Sequence, residues 1–118
     1  MFITKFLYVQ NQIRIYHWQT KSYAEHKALG KLYEGLDPLI DSFVESYFGK
    51  KGVRRATNAF NVQVANYESG APTALMNDAI DFVTNELQSV IDGDTDLQNI
   101  RDEMLGMFNQ TKYLLTLN

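Results

Sequence analysis

The stretch from Tyr23 to Phe48, YAEHKALGKLYEGLDPLIDSFVESYF, decides the fold. Leu29, Leu32, Leu36, Ile40, Phe43 and Tyr47 recur in it at spacings of three and four. That period stacks side chains on one face of an α-helix. Pro38 interrupts the segment; in a generic helix interior its missing N–H and its ring cost about 3 kcal/mol. Gly30 and Gly35 weaken the helix further. The apolar stripe nevertheless keeps its phase across the proline, so one helix bent near Pro38 is expected rather than two short ones.

Outward from this segment the same period returns three times. Phe6, Val9, Ile13 and Tyr16 form a stripe before it. Met76, Ala79, Val83, Leu87 and Val90 form another after Ser69-Gly70-Ala71-Pro72, with Thr73 as the expected N-cap. Leu97, Ile100, Met104, Met107, Thr111 and Leu114 form the last, opening near Asp94 or Thr95. The residues around Thr20 to Ser22 make the first two helices antiparallel neighbours, and Asp92-Gly93-Asp94 does the same for the last two. Between helices two and three the run from Gly49 to Pro72 is long enough to cross the length of a bundle. Asn61 to Tyr67 alternates weakly, like a strand without a partner, and is expected as extended loop. The chain is therefore expected to be all-α, one domain over residues 1–118.

Composition narrows the function classes. Of the 118 residues 45% are apolar and 21% charged, too balanced for disorder. No apolar run approaches the roughly 20 residues that span a bilayer, and no membrane partner is expected. Met1 to Val9 carries one lysine and no small-residue cleavage site, so it is read as helix and not as a signal peptide. With no cysteine, disulfides, thiolate metal sites and thiol nucleophiles are excluded, and a cytoplasmic location is expected. A net charge of −3 opposes generic nucleic-acid binding. The basic cluster Lys50, Lys51, Arg54, Arg55 follows the end of the second helix, where cations are favoured in any case.

The residues able to carry chemistry are His17, His26, Asp41 and Glu45. The two histidines flank the first turn and can approach each other. Asp41 and Glu45 are spaced i, i+4, about 60° and 100° round the helix from His26. Imidazole with carboxylate suits Fe, Zn or Mn. His26 and Asp41 stand roughly 22 Å apart along the helix, against metal–ligand bonds of about 2 Å. A shared metal would thus need the carboxylates of a second, antiparallel copy in a two-fold dimer. The Glu-x-x-His repeat of intra-bundle di-iron centres is absent, since Arg14 precedes His17 by three and Tyr23 precedes His26 by three. Glu34 and Asp37 lie near these residues and are read as a solvated or cavity-facing acidic surface.

Tyr16-His17-Trp18, then His26, then Asp41-x-x-x-Glu45 and Gly49 resemble the signature of the Dps miniferritins. Ala71-Pro72, Leu75-Met76-Asn77-Asp78 and the acidic turn before the last helix extend the resemblance more loosely. It implies a ferritin-like four-helix bundle with a long crossover between helices two and three. It also implies a homo-oligomer, a shell of twelve, and an inter-subunit ferroxidase site. There His17 of one subunit would meet Asp41 and Glu45 of its partner, with His26 nearby. Fe(II) would be oxidised by peroxide or oxygen and stored as ferric mineral. The chain departs from that pattern at Gly30, where the family has an aspartate, at Pro38, and in a turn between the histidines about three residues shorter. It lacks the lysine-rich N-terminal tail, so DNA binding by that device is not expected. The alternative is a helical interaction or structural module that has lost the metal chemistry.

Asp92-Gly93-Asp94-Thr95-Asp96 with Glu103 imitates a calcium loop, but the position that needs glycine holds Leu97. Millimolar calcium should leave the helicity and melting temperature unchanged. A stabilisation that Asp92→Ala removes would show the loop to be a calcium site after all.

Overall fold

The computed structural model describes residues 1–55 and 57–117. Its elements are α1 (Phe2–Gln19), α2 (Tyr23–Lys51), α3 (Ala71–Asp81), a π-helical turn (Phe82–Glu86), α4 (Leu87–Ile91) and α5 (Thr95–Leu114). The π turn joins α3 and α4 into one rod, so four helical rods make the bundle. No strand occurs among the described residues. Among the described residues no helix is long and apolar enough to cross a membrane.

The apolar stripes meet in one core. Phe6, Val9, Ile13, Leu29, Leu32, Leu36, Phe43, Met76, Val83, Leu87, Leu97 and Met104 are all buried, and Phe6 packs edge-on against both Phe43 and Phe82. Such aromatic pairs add about 0.5–1.5 kcal/mol beyond their buried area. Two expectations need correction. The third rod begins at Ala71, not after Thr73, because Gly70 takes the cap position at φ 82° and Pro72 falls in the first turn, where its missing N–H costs nothing. In the same rod Ile91, and not Val90, is fully buried. The π turn winds more residues per turn than an α-helix, so the buried line after Leu87 advances to Ile91.

α2 runs unbroken through Pro38, which faces outward and exposed. Its glycines admit neighbours: Gly35 lies against Met107 of α5, and Gly30 against His17 of α1. Their cost in helix propensity is thus offset by close approach.

Helix directions follow from the contacts. α1 and α2 are antiparallel, with Phe2 on Tyr47 at one end and His17 on His26 at the other. α2 and α5 are antiparallel too: Lys50 lies 3.0 Å from Asp96, while Gly35 meets Met107. The turn Asp92–Asp94 reverses the chain between α4 and α5, with Asp92 at φ 45° and Gly93 at φ 84°. Hence α2 and α3 are parallel, and the chain between them must travel back along the whole bundle.

That crossover lies on α1 in extended form. Gln12, fully buried, donates to the Ala65 carbonyl at 2.8 Å and accepts from the Ala65 N–H at 2.7 Å. Gln19, two turns on, accepts from the Tyr67 N–H at 2.6 Å and donates to Asn66 at 2.9 Å. Side-chain amides thus play the part of a neighbouring strand, satisfying backbone groups that have no ladder. Tyr67 ends the crossover edge-on to Tyr16 and donates its hydroxyl to Glu25 at 2.7 Å. That bond, then burial, raises its phenol above the ordinary value.

Gln12→Ala removes both partners of Ala65 and should cost about 1–2 kcal/mol in urea unfolding. Gln19→Ala, on an exposed residue, should cost less. Equal costs would show that the buried pair is not what anchors the crossover.

Candidate functional site

His17 lies in the last turn of α1 and His26 at the start of α2. Thr20 to Ser22 connect them, with the Ser22 side chain accepting from the Glu25 N–H to cap α2. The rings stack, centroids 3.9 Å apart and planes 13° from parallel. His17 Nδ1 lies 2.7 Å from the His26 carbonyl, and His26 Nδ1 lies 2.8 Å from the His17 carbonyl. A carbonyl oxygen only accepts, so each Nδ1 carries the proton. The exchange also satisfies the His17 carbonyl, one of the last in α1 and short of a helical amide. In the neutral rings both Nε2 atoms then hold a lone pair.

A seam of polar contacts continues from the pair along α1 and α2. Tyr33 meets His17 edge-on at 5.2 Å, and the Arg14 guanidinium sits over Tyr33 at 4.9 Å. Arg14 reaches Asp37 at 2.9 Å, and Gln10 donates to the same carboxylate at 3.1 Å. Asp37 is therefore an interhelical partner, where the sequence predicts a solvated or cavity-facing acidic surface. Glu34 stays exposed. A groove of about 490 Å³ opens beside the histidines, bounded by Ala28, Lys31, Glu34 and Leu114. Trp18 and Tyr23 stand 67% and 73% exposed at the same end.

The structure brings His17 and His26 together and leaves Asp41 and Glu45 exposed farther along α2. Neither carboxylate has an ion pair or a side-chain hydrogen bond among the described residues. Within one chain, no three His, Asp or Glu among them gather closely enough to hold a metal ion. The acidic turn before α5 is engaged otherwise. Lys50 donates to Asp96 and lies 4.0 Å from Asp94, and the bond holds the Asp96 carboxyl below its ordinary range.

Sequence reasoning missed Tyr33 and Arg14, and also the buried Arg101. Arg101 donates to the Val83 carbonyl in the π turn at 3.2 Å and to Gln88 at 3.1 Å. No spacing announces these contacts. Gln12 and Gln19 do leave a signal, a pair of amides seven residues apart on one face of α1.

Fold and site define an all-helical bundle with a histidine pair at one end. The chain belongs to the family described as "Family of unknown function (DUF5856)", which it matches over residues 17–115. It is also 34% identical over 102 residues to the "Uncharacterized 14.6 kDa protein in mobD-ri intergenic region" of Enterobacteria phage T4, covering 86% of this chain and 74% of that protein. No solved structure matches the chain significantly.

Gly30 is the sensitive position. A Cβ there would stand 2.9 Å from His17 Cε1, and that ring is pinned by its bond to the His26 carbonyl. At an open helical glycine such as Gly106, change to alanine should stabilise by about 1 kcal/mol. Gly30→Ala should gain nothing or lose stability, and should shift the His17 ring resonances. A gain equal to that of Gly106→Ala would mean that the ring moves freely.

Proposed function

We propose that this protein is a miniferritin-like, iron-binding protein that takes up Fe(II) between two copies of the chain. It oxidises the iron with peroxide or oxygen and sequesters the ferric product. The observation that carries the reading is the histidine pair. Each imidazole is oriented by an Nδ1–H bond to a backbone carbonyl and presents Nε2, the arrangement that fixes tautomer and direction in metal-binding histidines. Asp41 and Glu45, exposed on the same helix, supply carboxylates for a neighbour. At roughly 22 and 28 Å from His26 along the helix they serve a second copy and not their own. Parallel middle helices joined by a crossover support a ferritin-like bundle. Zn or Mn would fit the same donors. The resemblance to Dps proteins favours a shell of twelve subunits, as yet only a dimer in physical terms.

A second reading, a bundle that interacts without metal chemistry, is favoured by Gly30. The His17 ring occupies the space that the Dps aspartate would need at that position.

Mixing separates the two. His17→Ala and Asp41→Ala should each abolish iron binding. Co-assembled, they should recover up to half of the sites, because one of the two sites in each heterodimer receives both wild-type ligands. An intra-chain site predicts no recovery, and a bundle without metal chemistry predicts background iron oxidation throughout. Circular dichroism and particle size must first show that both variants fold and exchange subunits, since His17→Ala also removes one carbonyl bond.

A further inference from the structure

We propose that a second copy of this chain docks antiparallel along the outward face of α2, held by a charge pattern that is its own complement. The surface is a single line of exposed residues: Lys27, Lys31, Glu34, Pro38, Asp41 and Glu45. At 100° per residue all six fall within about 40° of one line along the helix. α1 packs on one side of this line, through His17 and Asp37. α5 packs on the other, through Met107 at Gly35. The line is therefore what α2 leaves outside the bundle.

Its charges are sorted, not mixed. Lys27 and Lys31 occupy the first part and Asp41 and Glu45 the last, while Glu34 and Pro38 flank the centre. Lys31, Glu34, Asp41 and Glu45 make no ion pair among the described residues, and Lys27 meets only the face of Tyr23 at 5.8 Å. A two-fold axis beside residue 36 brings together positions whose numbers sum to 72. Lys27 then faces Glu45 of the other copy, and Lys31 faces Asp41. Both pairs occur twice, as an isologous interface requires. The pattern holds one step beyond at each end. Tyr23, the most exposed large hydrophobic side chain of α2 at 73%, comes opposite Gly49, where nothing lies within 4 Å of the Cβ position and an aromatic ring can rest on bare backbone. A parallel pairing would set lysine against lysine and carboxylate against carboxylate.

A contact one helix wide lies at the small end of protein interfaces, so the dimer is weak, exchanging and sensitive to salt. The inference deepens the proposed iron site: the same register carries Asp41 and Glu45 of one copy to the His26 end of the other. The lysine–carboxylate contact, however, needs no metal.

The test uses the whole chain with a chelator present, followed by sedimentation equilibrium at low salt. Wild type should dimerise, and salt on the order of 0.5 M should dissociate it. Lys31→Glu and Asp41→Lys should each weaken association by about tenfold or more, and the double variant Lys31→Glu/Asp41→Lys should restore it. All these residues are exposed, and unchanged circular dichroism checks their folding. A wild type that stays monomeric without metal, or a dimer indifferent to either single reversal, overturns the proposal. The iron reading fails separately. The double variant lacks Asp41, so it should dimerise and yet hold no iron, whereas a wild-type dimer that binds no iron sinks the metal site alone. Association that appears only with Fe(II) overturns the charge-paired interface and leaves the metal-bridged one.

Discussion

The exchange of two imidazole N–H groups for two backbone carbonyls across the α1–α2 hairpin constrains everything at that end of the molecule. A helix must leave its last carbonyls without amide partners, and at a turn of three residues there is little chain to supply them. His26 supplies one from the next helix, and His17 returns the bond. The return is geometrically demanding: His17 must lie flat on its neighbour's ring and directly over Gly30. That explains why a helix already burdened by Pro38 carries a glycine there. It also fixes the tautomer, leaving both Nε2 atoms as the chemically available ones. Structure and proposed chemistry thus draw on opposite nitrogens of the same rings.

The crossover answers a second constraint. With α2 and α3 parallel, an extended segment has to run along the outside of the bundle, and its peptide groups need partners. A sheet would provide them, but a single strand has none. The glutamines of α1 fill that role, the buried Gln12 with a two-point bond to Ala65 and Gln19 with contacts to Asn66 and Tyr67. Tyr67 then reaches Glu25, which also accepts from Thr20 at 2.6 Å. The end of the crossover is thereby tied to the hairpin that holds the histidines, so positioning of the histidine pair and routing of the chain are coupled.

At the third rod the π turn plays a similar part in the core. It carries Phe82 and Val83 inward together and advances the buried line to Ile91. The Val83 carbonyl receives the buried Arg101. A guanidinium removed from water needs such acceptors, and Gln88 and Asp102 provide the others. The last hairpin is therefore fastened by a charge-assisted contact as well as by apolar packing.

The four apolar periods, the two tight turns, the length of the crossover and its extended character at Asn61 to Tyr67 were legible from residue order alone. Each follows from local chemistry: side-chain period, turn composition and chain length. The approach of His17 to His26 was legible for the same reason, since only a short turn separates them. Local reading failed where a residue's role is set by something far along the chain. Asp37 looks solvated until Arg14 and Gln10 of another helix reach it. Gly30 looks like a weakness until the ring of His17 lies on it. Thr73 looks like a cap until Gly70 turns the chain one step earlier, and Val90 looks buried until a π turn changes the winding. Whether Asp41 and Glu45 meet an imidazole lies a level higher still. The sequence by itself determined that these carboxylates are too distant to meet their own histidines, because helical rise is fixed per residue. Only the tertiary structure decided that they stand exposed on the outward line of α2, because the packing of α1 and α5 on either side determines which line of that helix remains uncovered.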